Sequence, residues 1–255
     1  MPAEQPVFAE ERQQKILAMV NAQGRVRIAE LVTLLKVSEP TIRKDLSALE
    51  EQRLVRRTHG GAIAVHTQFE RTIAARSELH GAAKDLIAKA CLAEIVAGDS
   101  IFLDSGTTVQ RIAEALDQVH VNVLTNALGV AATLADRPMV RHTLLGGSVR
   151  SLGGTLVGPV AIETLGRFTV NTAFISASGF TQDGVSVADV AEAQVKQAVI
   201  ERARRVVLAV DSSKFGVQDF VAVCPLDRID VVITEAACDD VKAICAEHGV
   251  RLMIV

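Results

Sequence analysis

Residues 104–108 combine the side chains and the turn that an anion-binding loop needs. They follow the apolar run 101–103 and supply an aspartate, a serine, a glycine and two threonines. The stretch 109–116 after them has the apolar spacing of a helix. A strand, a small polar loop and a helix in this order direct free backbone N–H groups and hydroxyls at a bound anion. We therefore expect a phosphate or carboxylate here, held by Gly106, Thr107 and Thr108.

Further polar residues follow later apolar runs of the chain, at the predicted ends of strands. Ligands of parallel α/β sheets bind at the carboxyl ends of the strands, so these residues are expected to converge. Asp104 and Asn126 are expected to bond hydroxyl groups of the ligand, and Lys214 to contact a phosphate or a carbonyl. The full set of ligand candidates is Asp104, Gly106, Thr107, Thr108, Thr125, Asn126, Gly146, Gly147, Gly179, Lys196 and Lys214.

Other interpretations stay open for several of these residues. The segment 106–108 could be an ordinary strand-to-helix turn with a threonine cap. Lys196 follows Glu192 by four residues and could instead form an ion pair on a helix surface. The pair Gly146-Gly147 could simply be a loop that permits close backbone approach.

The elements that must position these residues alternate between strand and helix. Short apolar strands alternating with helices predict an α/β fold, a mostly parallel sheet with helices on both faces. Strands are predicted at 100–103, 121–124, 141–145, 172–176, 205–210, 231–234 and 251–255. Helices are predicted at 82–96, 108–115, 128–134, 159–165, 191–203 and 239–248. The helix at 82–96 is expected to bury Leu86, Ile87, Ala90, Cys91 and Ile95.

The first part of the chain has the pattern of three short helices. Apolar spacing predicts them at 10–20, 28–35 and 39–50. Ser38 is expected to cap the third helix, with Pro40 in the first turn, where a missing N–H costs nothing. Two helices joined by a tight turn match the helix-turn-helix, whose second helix enters the major groove of DNA.

Residues 52–63 sharpen this interpretation, because they read as a strand, a Gly-Gly turn and a second strand. Such a basic hairpin is a wing, and its cations are expected to supply mostly sequence-independent affinity for phosphates. The alternative is a small helical subdomain with ordinary surface charges. The DNA-binding candidates are Ser38, Pro40, Thr41, Arg43 and Lys44 on the third helix and Arg56, Arg57 and His59 on the wing.

Composition excludes several classes of protein. The net charge of −3 divides into +2 for residues 1–66 and −5 for the remainder, a weak indication of a nucleic-acid module at the start. The four cysteines form no C-x-x-C pair and no cluster with histidine, which argues against a zinc site or a disulfide framework. No apolar run approaches the roughly 18 residues of a membrane span. Residues 1–12 lack the apolar core of a signal peptide, so we expect a cytoplasmic protein.

Several runs of residues in the two parts of the chain form a recognisable set. In the first part they are Arg12 with Ile16-Leu17, Val37-Ser38, the run 41–46, Leu49-Glu50 and the run 57–62. In the second part they are 104–108, 125–126, 145–147, 156–159, 192–196 and 211–216. Together these runs resemble the DeoR/GlpR family of bacterial transcription regulators. The resemblance extends over nearly the whole chain, in the order of the family. It implies a winged helix-turn-helix followed by a sugar-phosphate sensor domain that is similar in fold to ribose-5-phosphate isomerase.

The similarity in fold raises the alternative of a sugar-phosphate isomerase with an appended DNA-binding domain. Isomerisation needs a general base, normally a carboxylate. The corresponding stretch 176–181 contains none, and Ser178 stands where many family members have aspartate. Ala83 is a second departure, since an acid often precedes the family lysine, here Lys84. We therefore expect no catalytic residues. A regulator whose pocket no longer binds phosphosugars is a third alternative.

The resulting expectation is a DNA-binding transcription regulator, a repressor of carbohydrate catabolism genes, controlled by a phosphorylated sugar. The predicted domains are residues 1–63, a linker at 64–80 and residues 81–255. The expected partners are double-stranded operator DNA and the phosphorylated sugar effector. Because one recognition helix reads few base pairs, we expect a homodimer or homotetramer. No cofactor, metal ion or membrane is expected to take part.

Overall fold

The computed structural model describes residues 9–23, 25–52, 54–58, 60–64, 73–117 and 120–255. The chain divides into two compact units, Met1–Phe69 and Glu70–Val255. Within the described ranges, the first unit consists of helices and a small sheet, and the second is an α/β unit built on a larger sheet. The predicted fold class is therefore confirmed.

Amphipathic helices pack around one small core in the first unit. Their apolar faces bury Ile16, Leu31, Ile42 and Leu46 together. The helices are α1 (Ala9–Gln23), α2 (Ile28–Leu35) and α3 (Glu39–Glu51). Pro40 lies in the first turn of α3, where its missing N–H breaks no hydrogen bond. The predicted helix-turn-helix is thus formed by α2 and α3.

A three-stranded antiparallel sheet completes the described part of the first unit. Its strands are β1 (Arg25–Arg27), β2 (Val55–Thr58) and β3 (Gly61–Ala64), with β3 in the centre. β2 and β3 form the predicted wing. β1 is not predicted, because three residues are too few to show an alternation. Gly61 lets β1 approach, since a Cβ there would overlap the carbonyl of Val26. Gly24, which stands between α1 and β1 in the sequence, lies outside the described residues.

A buried ion pair ties α1 to α3. Arg12 donates from Nε to Asp45 Oδ2 at 2.5 Å and from Nη2 to Oδ1 at 3.1 Å. Hydrogen bonding to Asp45 raises the pKa of Arg12. The helix-period pattern gives no sign of this pair, because it sets Arg12 outside the apolar face. An aspartate buried on the apolar side of α3 thus depends on a cation from a helix 33 residues away in sequence.

The second unit contains a seven-stranded sheet and two smaller sheets in its described part. Its strands are β4 (Ser100–Leu103), β5 (Val121–Thr125), β6 (Val140–Leu144), β7 (Ser148–Arg150), β8 (Thr155–Val157), β9 (Val170–Ile175), β10 (Gly179–Thr181), β11 (Gly184–Val187), β12 (Ala203–Ala209), β13 (Val221–Cys224), β14 (Val231–Thr234) and β15 (Arg251–Ile254). The large sheet has the order β15-β14-β12-β9-β4-β5-β6, and all its neighbours are parallel. These are the seven predicted strands.

Two small antiparallel sheets are missing from the sequence-based prediction. β7 and β8 form a hairpin, and β10, β11 and β13 form a three-stranded sheet. Three of these five strands, β7, β8 and β10, have only three residues, which are too few to show an alternation. Both small sheets follow strands of the large sheet, so they lie where its carboxyl edge begins.

Helices cover both faces of the large sheet. They are α4 (Ile73–Glu78), α5 (Gly81–Leu92), α6 (Thr107–Ala115), α7 (Leu128–Leu134), α8 (Pro159–Leu165), α9 (Val190–Arg202) and α10 (Asp239–Glu247). α5 ends four residues before the predicted position. The prediction of a buried Leu86 is wrong, because its side chain is 50% exposed, whereas Lys84 on the other side of α5 is buried. No helix in the described ranges has the length and apolarity to cross a membrane.

The large sheet is buried on both faces. Phe102 packs into a core with α8 and α9, whereas its neighbours Ile101 and Leu103 pack into a second core with α5 and α6. Successive side chains of a strand point to opposite faces, so both faces must be apolar. The sheet therefore fixes the strand ends from which the candidate ligand residues extend.

Candidate functional site

The loop between β4 and α6 has the geometry expected of an anion-binding turn. Gly106 is the N-cap residue of α6 and has φ of 126°, a conformation that L side chains rarely adopt. A Cβ at Gly106 would also overlap Ser176 Oγ. Thr107 and Thr108 are buried in the first turn of α6, whose leading N–H groups have no carbonyl partner within the helix. Backbone donors and two hydroxyls are thus gathered at one helix N-terminus.

Asp104, at the end of β4, is a fully buried carboxylate whose two oxygens differ in their hydrogen bonding. Oδ2 accepts hydrogen bonds from Ser176 N at 2.9 Å and from Ser176 Oγ at 3.2 Å, and it also contacts Lys196 Nζ. Oδ1 is buried and has no hydrogen-bond partner among the described residues. A buried acceptor without a partner is costly, so Oδ1 marks a place for a donor from outside the protein.

Lys196 is buried between two carboxylates. Its Nζ contacts Asp104 Oδ2 and lies 3.2 Å from Glu192 Oε1, and the side chain is only 1% exposed. Burial lowers the pKa of Lys196, but Asp104 and Glu192 outweigh it and the pKa is raised. The alternative prediction of an i,i+4 ion pair names the right partner, Glu192. It is wrong about the location, because Lys196 is buried and does not lie on the helix surface. The same ammonium group also holds Asp104 in place.

Arg150 extends this charge network to the β7–β8 hairpin. Its Nε lies 3.2 Å from Asp189 Oδ2, and its Nη1 lies 3.9 Å from Glu192. Asp189 also caps α9 by accepting from Glu192 N at 2.9 Å. The hairpin is therefore anchored to the start of α9 by charge as well as by packing.

Asn126 and Thr155 add two further unpartnered atoms beside Asp104. Asn126 follows β5, which pairs with β4, and it donates from Nδ2 to Leu156 O at 3.4 Å. Asn126 Oδ1 and Thr155 Oγ1 are buried without a hydrogen-bond partner among the described residues. Thr155, at the start of β8, forms an isolated antiparallel bridge with Ala127, so it lies next to Asn126. The candidate pocket is defined here as residues 104–108 with Asn126 and Thr155.

The structure places Thr125 and three of the predicted ligand glycines next to other parts of the protein's own chain. The Thr125 hydroxyl donates to Leu103 O at 2.6 Å and accepts from Ala127 N at 3.1 Å, so it joins β4 to β5. Gly179 lies against the backbone of residue 217, which a Cβ would overlap. Gly147 has φ of 137° and its Cβ would lie 2.7 Å from Val157 O. Gly146, beside it, is exposed. The position of Gly147 matches the interpretation of close backbone approach, whereas a Cβ at Gly146 would meet only the side chains of Val160 and Thr164.

Lys214 belongs to a second group of charges, after β12. It lies at the end of a short 3-10 helix, Ser212–Lys214, that follows the buried Asp211. Burial raises the pKa of Asp211, but Lys214, a hydrogen bond from Ser213 and the charges of His80 and Lys84 outweigh it and the pKa is lowered. The Lys214 ammonium forms no hydrogen bond or ion pair with the described residues. No hydrogen bond or ion pair among the described residues joins it to the candidate pocket.

Lys84 is a buried cation in the same group that is absent from the predicted ligand set. Its Nζ donates to the carbonyl of Arg76 and to Leu79 O, the latter at 2.5 Å. Burial, with Lys214 and Arg76 nearby, lowers the pKa of Lys84 to about 8. A sequence signal exists, because Lys84 begins the buried i, i+3, i+4, i+7 stripe of α5. Thr155 has no comparable signal.

The exposed side of α3 carries the predicted base-reading residues. Ser38 is at the N-cap position but makes no side-chain cap, and its hydroxyl is instead 2.8 Å from Thr41 Oγ1. Arg43 is exposed and donates to Glu39 Oε1, from Nε at 2.9 Å and from Nη2 at 2.7 Å. Pro40 and Lys44 are exposed on the same helix.

The wing is attached to α3 through Arg57. Its Nη1 donates to Ser47 Oγ at 2.8 Å, and its backbone N–H donates to Glu50 Oε1 at 2.8 Å. Arg56 lies on β2, but its side chain is outside the description, and His59 lies outside the described residues. The contact of Arg57 with Ser47 places this guanidinium beside α3.

Comparison with known proteins decides the family. Residues 12–68 match the DeoR-like helix-turn-helix domain, and residues 79–236 match the DeoR C terminal sensor domain. The chain is 33% identical over 255 residues to the HTH-type transcriptional repressor GlcR of Bacillus subtilis (strain 168), with 97% of each chain covered. The chain belongs to the DeoR family. Another DeoR-family relative, the glycerol-3-phosphate regulon repressor of Escherichia coli (strain K12), is 34% identical over 249 residues, covering 95% of this chain and 97% of that protein.

Membership of the DeoR family confirms the predicted resemblance and the predicted DNA-binding transcriptional regulator. Among solved structures, ribose 5-phosphate isomerase A from Methanocaldococcus jannaschii matches with a TM-score of 0.38 and 16% identity. The match covers 52% of this chain and 53% of that chain, and a likeness of this size carries no argument about activity. In the described part of the chain, no three His, Cys, Asp or Glu residues are grouped to hold a metal ion.

Proposed function

We propose that this DeoR-family repressor acts on carbohydrate genes in the cytoplasm and is controlled by a phosphorylated sugar bound in the second unit. The observation that carries the proposal is the candidate pocket. Free N–H groups and hydroxyls at the start of α6 lie next to buried acceptors that have no partner in the described protein. The former suit a phosphate, and the latter need donors.

The chemistry of the pocket favours an ester that carries hydroxyl groups. Asn126 Oδ1 can only accept a hydrogen bond, so the ligand must supply the proton. Burial raises the pKa of Asp104, and the ion pair with Lys196 favours the carboxylate, whose Oδ1 is likewise an acceptor. Sugar hydroxyls supply the protons, and a site that bonds a hydroxyl rejects analogues lacking it because its own polar groups are then left unpaired. Lys196 supports this selectivity by holding Asp104 from its other oxygen.

On the DNA side, α3 is proposed to lie in the major groove and the wing to contact the backbone. The exposed residues Arg43 and Lys44 and the half-buried Thr41 lie near the N-terminal end of α3, the part of a recognition helix that contacts base edges. Arg56, Arg57 and His59 are proposed to contact phosphates. A homodimer or homotetramer would place two such helices on repeated half-sites.

Control by the ligand requires a difference in its affinity for two arrangements of the protein. A ligand that binds the DNA-competent and the incompetent arrangement equally shifts nothing. The proposal therefore includes a measurable coupling between the two sites. No catalytic step is proposed, because residues 176–181 supply no carboxylate and Ser176 is committed to Asp104.

The test is a thermal-shift panel of sugar phosphates together with two variants. At least one ester should raise the melting temperature, and Thr107→Val should lose that shift while retaining DNA binding. Arg43→Ala should weaken DNA binding while retaining the shift. If no ester stabilises the protein, the pocket does not bind phosphosugars. If both variants damage both activities equally, the assignment of DNA binding to the first unit and ligand binding to the second is wrong. Turnover of ribose 5-phosphate would instead support the isomerase alternative.

A further inference from the structure

Glu39 is an acidic residue in a place where acid is unfavourable for DNA binding. It is the first residue of α3, and its side chain is 55% exposed. The N-terminal end of a recognition helix approaches base edges and phosphates. An unpaired carboxylate there would be repelled by the phosphates, since like charges disfavour approach. A favourable interaction of Glu39 must therefore offset this repulsion.

The structure shows that Glu39 is paired with the main base-reading candidate. Arg43 donates to one carboxylate oxygen, Glu39 Oε1, from both Nε and Nη2. This arrangement fixes the plane of the guanidinium against its own helix. The Nη1 amino group takes no part in the pair and keeps its donors. The second oxygen, Glu39 Oε2, has no hydrogen-bond partner among the described residues.

The other charged residues of α3 do not have this arrangement. Asp45 is buried with Arg12, and Glu50 accepts from the backbone of Arg57. Lys44, the neighbour of Arg43, is exposed and forms no ion pair with the described residues. An unrestrained lysine next to a restrained arginine suits a division in which Lys44 contacts phosphates and Arg43 contacts bases.

We propose that Glu39 is a positioning residue that holds the Arg43 guanidinium for base recognition and keeps it from binding phosphates. Arginine recognises guanine through two parallel hydrogen bonds to O6 and N7, which requires a fixed orientation. The proposal rests on the base-reading role proposed above for Arg43. Glu39 thereby sets sequence specificity without contacting the DNA itself.

The experiment selects the preferred duplex from a randomised library with the purified full-length protein. Affinities for that duplex and for a random-sequence duplex are then measured over a range of salt concentrations. For Glu39→Gln, the ratio of selected to random affinity should fall about tenfold, the size of one lost guanine contact. Its salt dependence on random DNA should steepen by about 0.9 in log–log slope, because Arg43 gains a phosphate.

Two variants separate positioning from charge. Glu51→Gln, at the other end of α3, removes the same charge and should leave the affinity ratio and the salt slope as in the wild type. Glu39→Asp keeps the charge but withdraws the carboxylate by one methylene, so it should behave like Glu39→Gln. A role in helix stability alone would change the melting temperature but neither DNA readout.

Several results would overturn the proposal. They are equal behaviour of Glu39→Gln and Glu51→Gln, wild-type specificity of Glu39→Asp, and a wild-type protein that selects no sequence. The variant Arg43→Ala distinguishes the base-reading role proposed for Arg43 from the positioning role proposed for Glu39. If it binds the selected duplex as the wild type does, the role of Arg43 itself is wrong. If it loses the preference but Glu39→Gln does not, only the role of Glu39 is wrong.

Discussion

At the scale of single residues, the charges behind the candidate pocket are paired with one another. Asp104, Lys196 and Glu192 form a buried chain that continues through Arg150 to the cap of α9. Buried ion pairs of this kind contribute little net stability, but removing one partner leaves an uncompensated charge. Lys196 thus holds Asp104 through Oδ2, and Oδ1 stays without a hydrogen-bond partner among the described residues.

Replacing Lys196 by methionine should destabilise the second unit. The change leaves Asp104 and Glu192 buried without their shared ammonium, so the free energy of unfolding should fall by about 3–5 kcal/mol. Urea unfolding measures the loss, and the double variant Asp104→Asn with Lys196→Met should recover part of it. Arg167→Met, which breaks the exposed pair with Glu163, should leave stability nearly unchanged. An equal effect of the two methionine variants would contradict the buried network.

Gly106→Ala should damage the loop for two reasons. A φ of 126° strains any L side chain, by about 1–3 kcal/mol, and the new Cβ overlaps Ser176 Oγ. Gly98→Ala is the matched control, because Gly98 has φ of 92° but nothing within 4 Å of a Cβ. In thermal unfolding, Gly106→Ala should lose more stability than Gly98→Ala. Equal losses would show that the contact with Ser176 is unimportant.

At the scale of elements, Lys84 joins α4 to the start of α5. Its ammonium binds the carbonyls of residues 76 and 79, and burial holds its pKa near 8. The unfolded chain keeps the ordinary pKa of 10.5. Between pH 8 and pH 10.5 the unfolded state therefore binds more protons, and stability must rise with pH over this window.

The pH dependence is tested against Lys84→Met. The difference in unfolding free energy, wild type minus variant, should increase as the pH rises from 8 to 10.5. Below pH 8 this difference should stay constant. Urea unfolding in a pH series gives both curves, and their difference cancels the other titrating groups. A difference that stays constant with pH, or that falls as pH rises, would contradict a lowered pKa for Lys84.

The elements with a regular apolar pattern were predictable, and the features that depend on tertiary contacts were not. α2 and β4 lie at their predicted bounds, because their apolar spacing is regular and each is followed by a clear break. β1 exists only through pairing with β3, and the β7–β8 hairpin has three residues a side. The loop at 104–108 was recognisable from composition, whereas Thr155 joins it only because the hairpin folds back on Asn126.

At the scale of the whole molecule, the chain combines a unit that reads DNA with a unit that carries a pocket. Each has its own core, so the residues of each function can be altered without removing the other fold. Coupling between the sites is expected to be about 1–3 kcal/mol, as for other allosteric pairs. Such a coupling corresponds to a change in DNA affinity of about 5- to 150-fold.

Fluorescence anisotropy of a labelled DNA duplex, taken from the region upstream of the gene that encodes the protein, measures this coupling directly. The purified full-length protein is titrated without effector, with each sugar phosphate of a panel, and with the same sugars lacking phosphate. We predict tight binding to the duplex, a change in Kd of at least about fivefold with one or more esters, and none with the free sugars. Absence of binding to this and neighbouring promoters, or a Kd that no ester changes, would contradict a phosphosugar-controlled repressor.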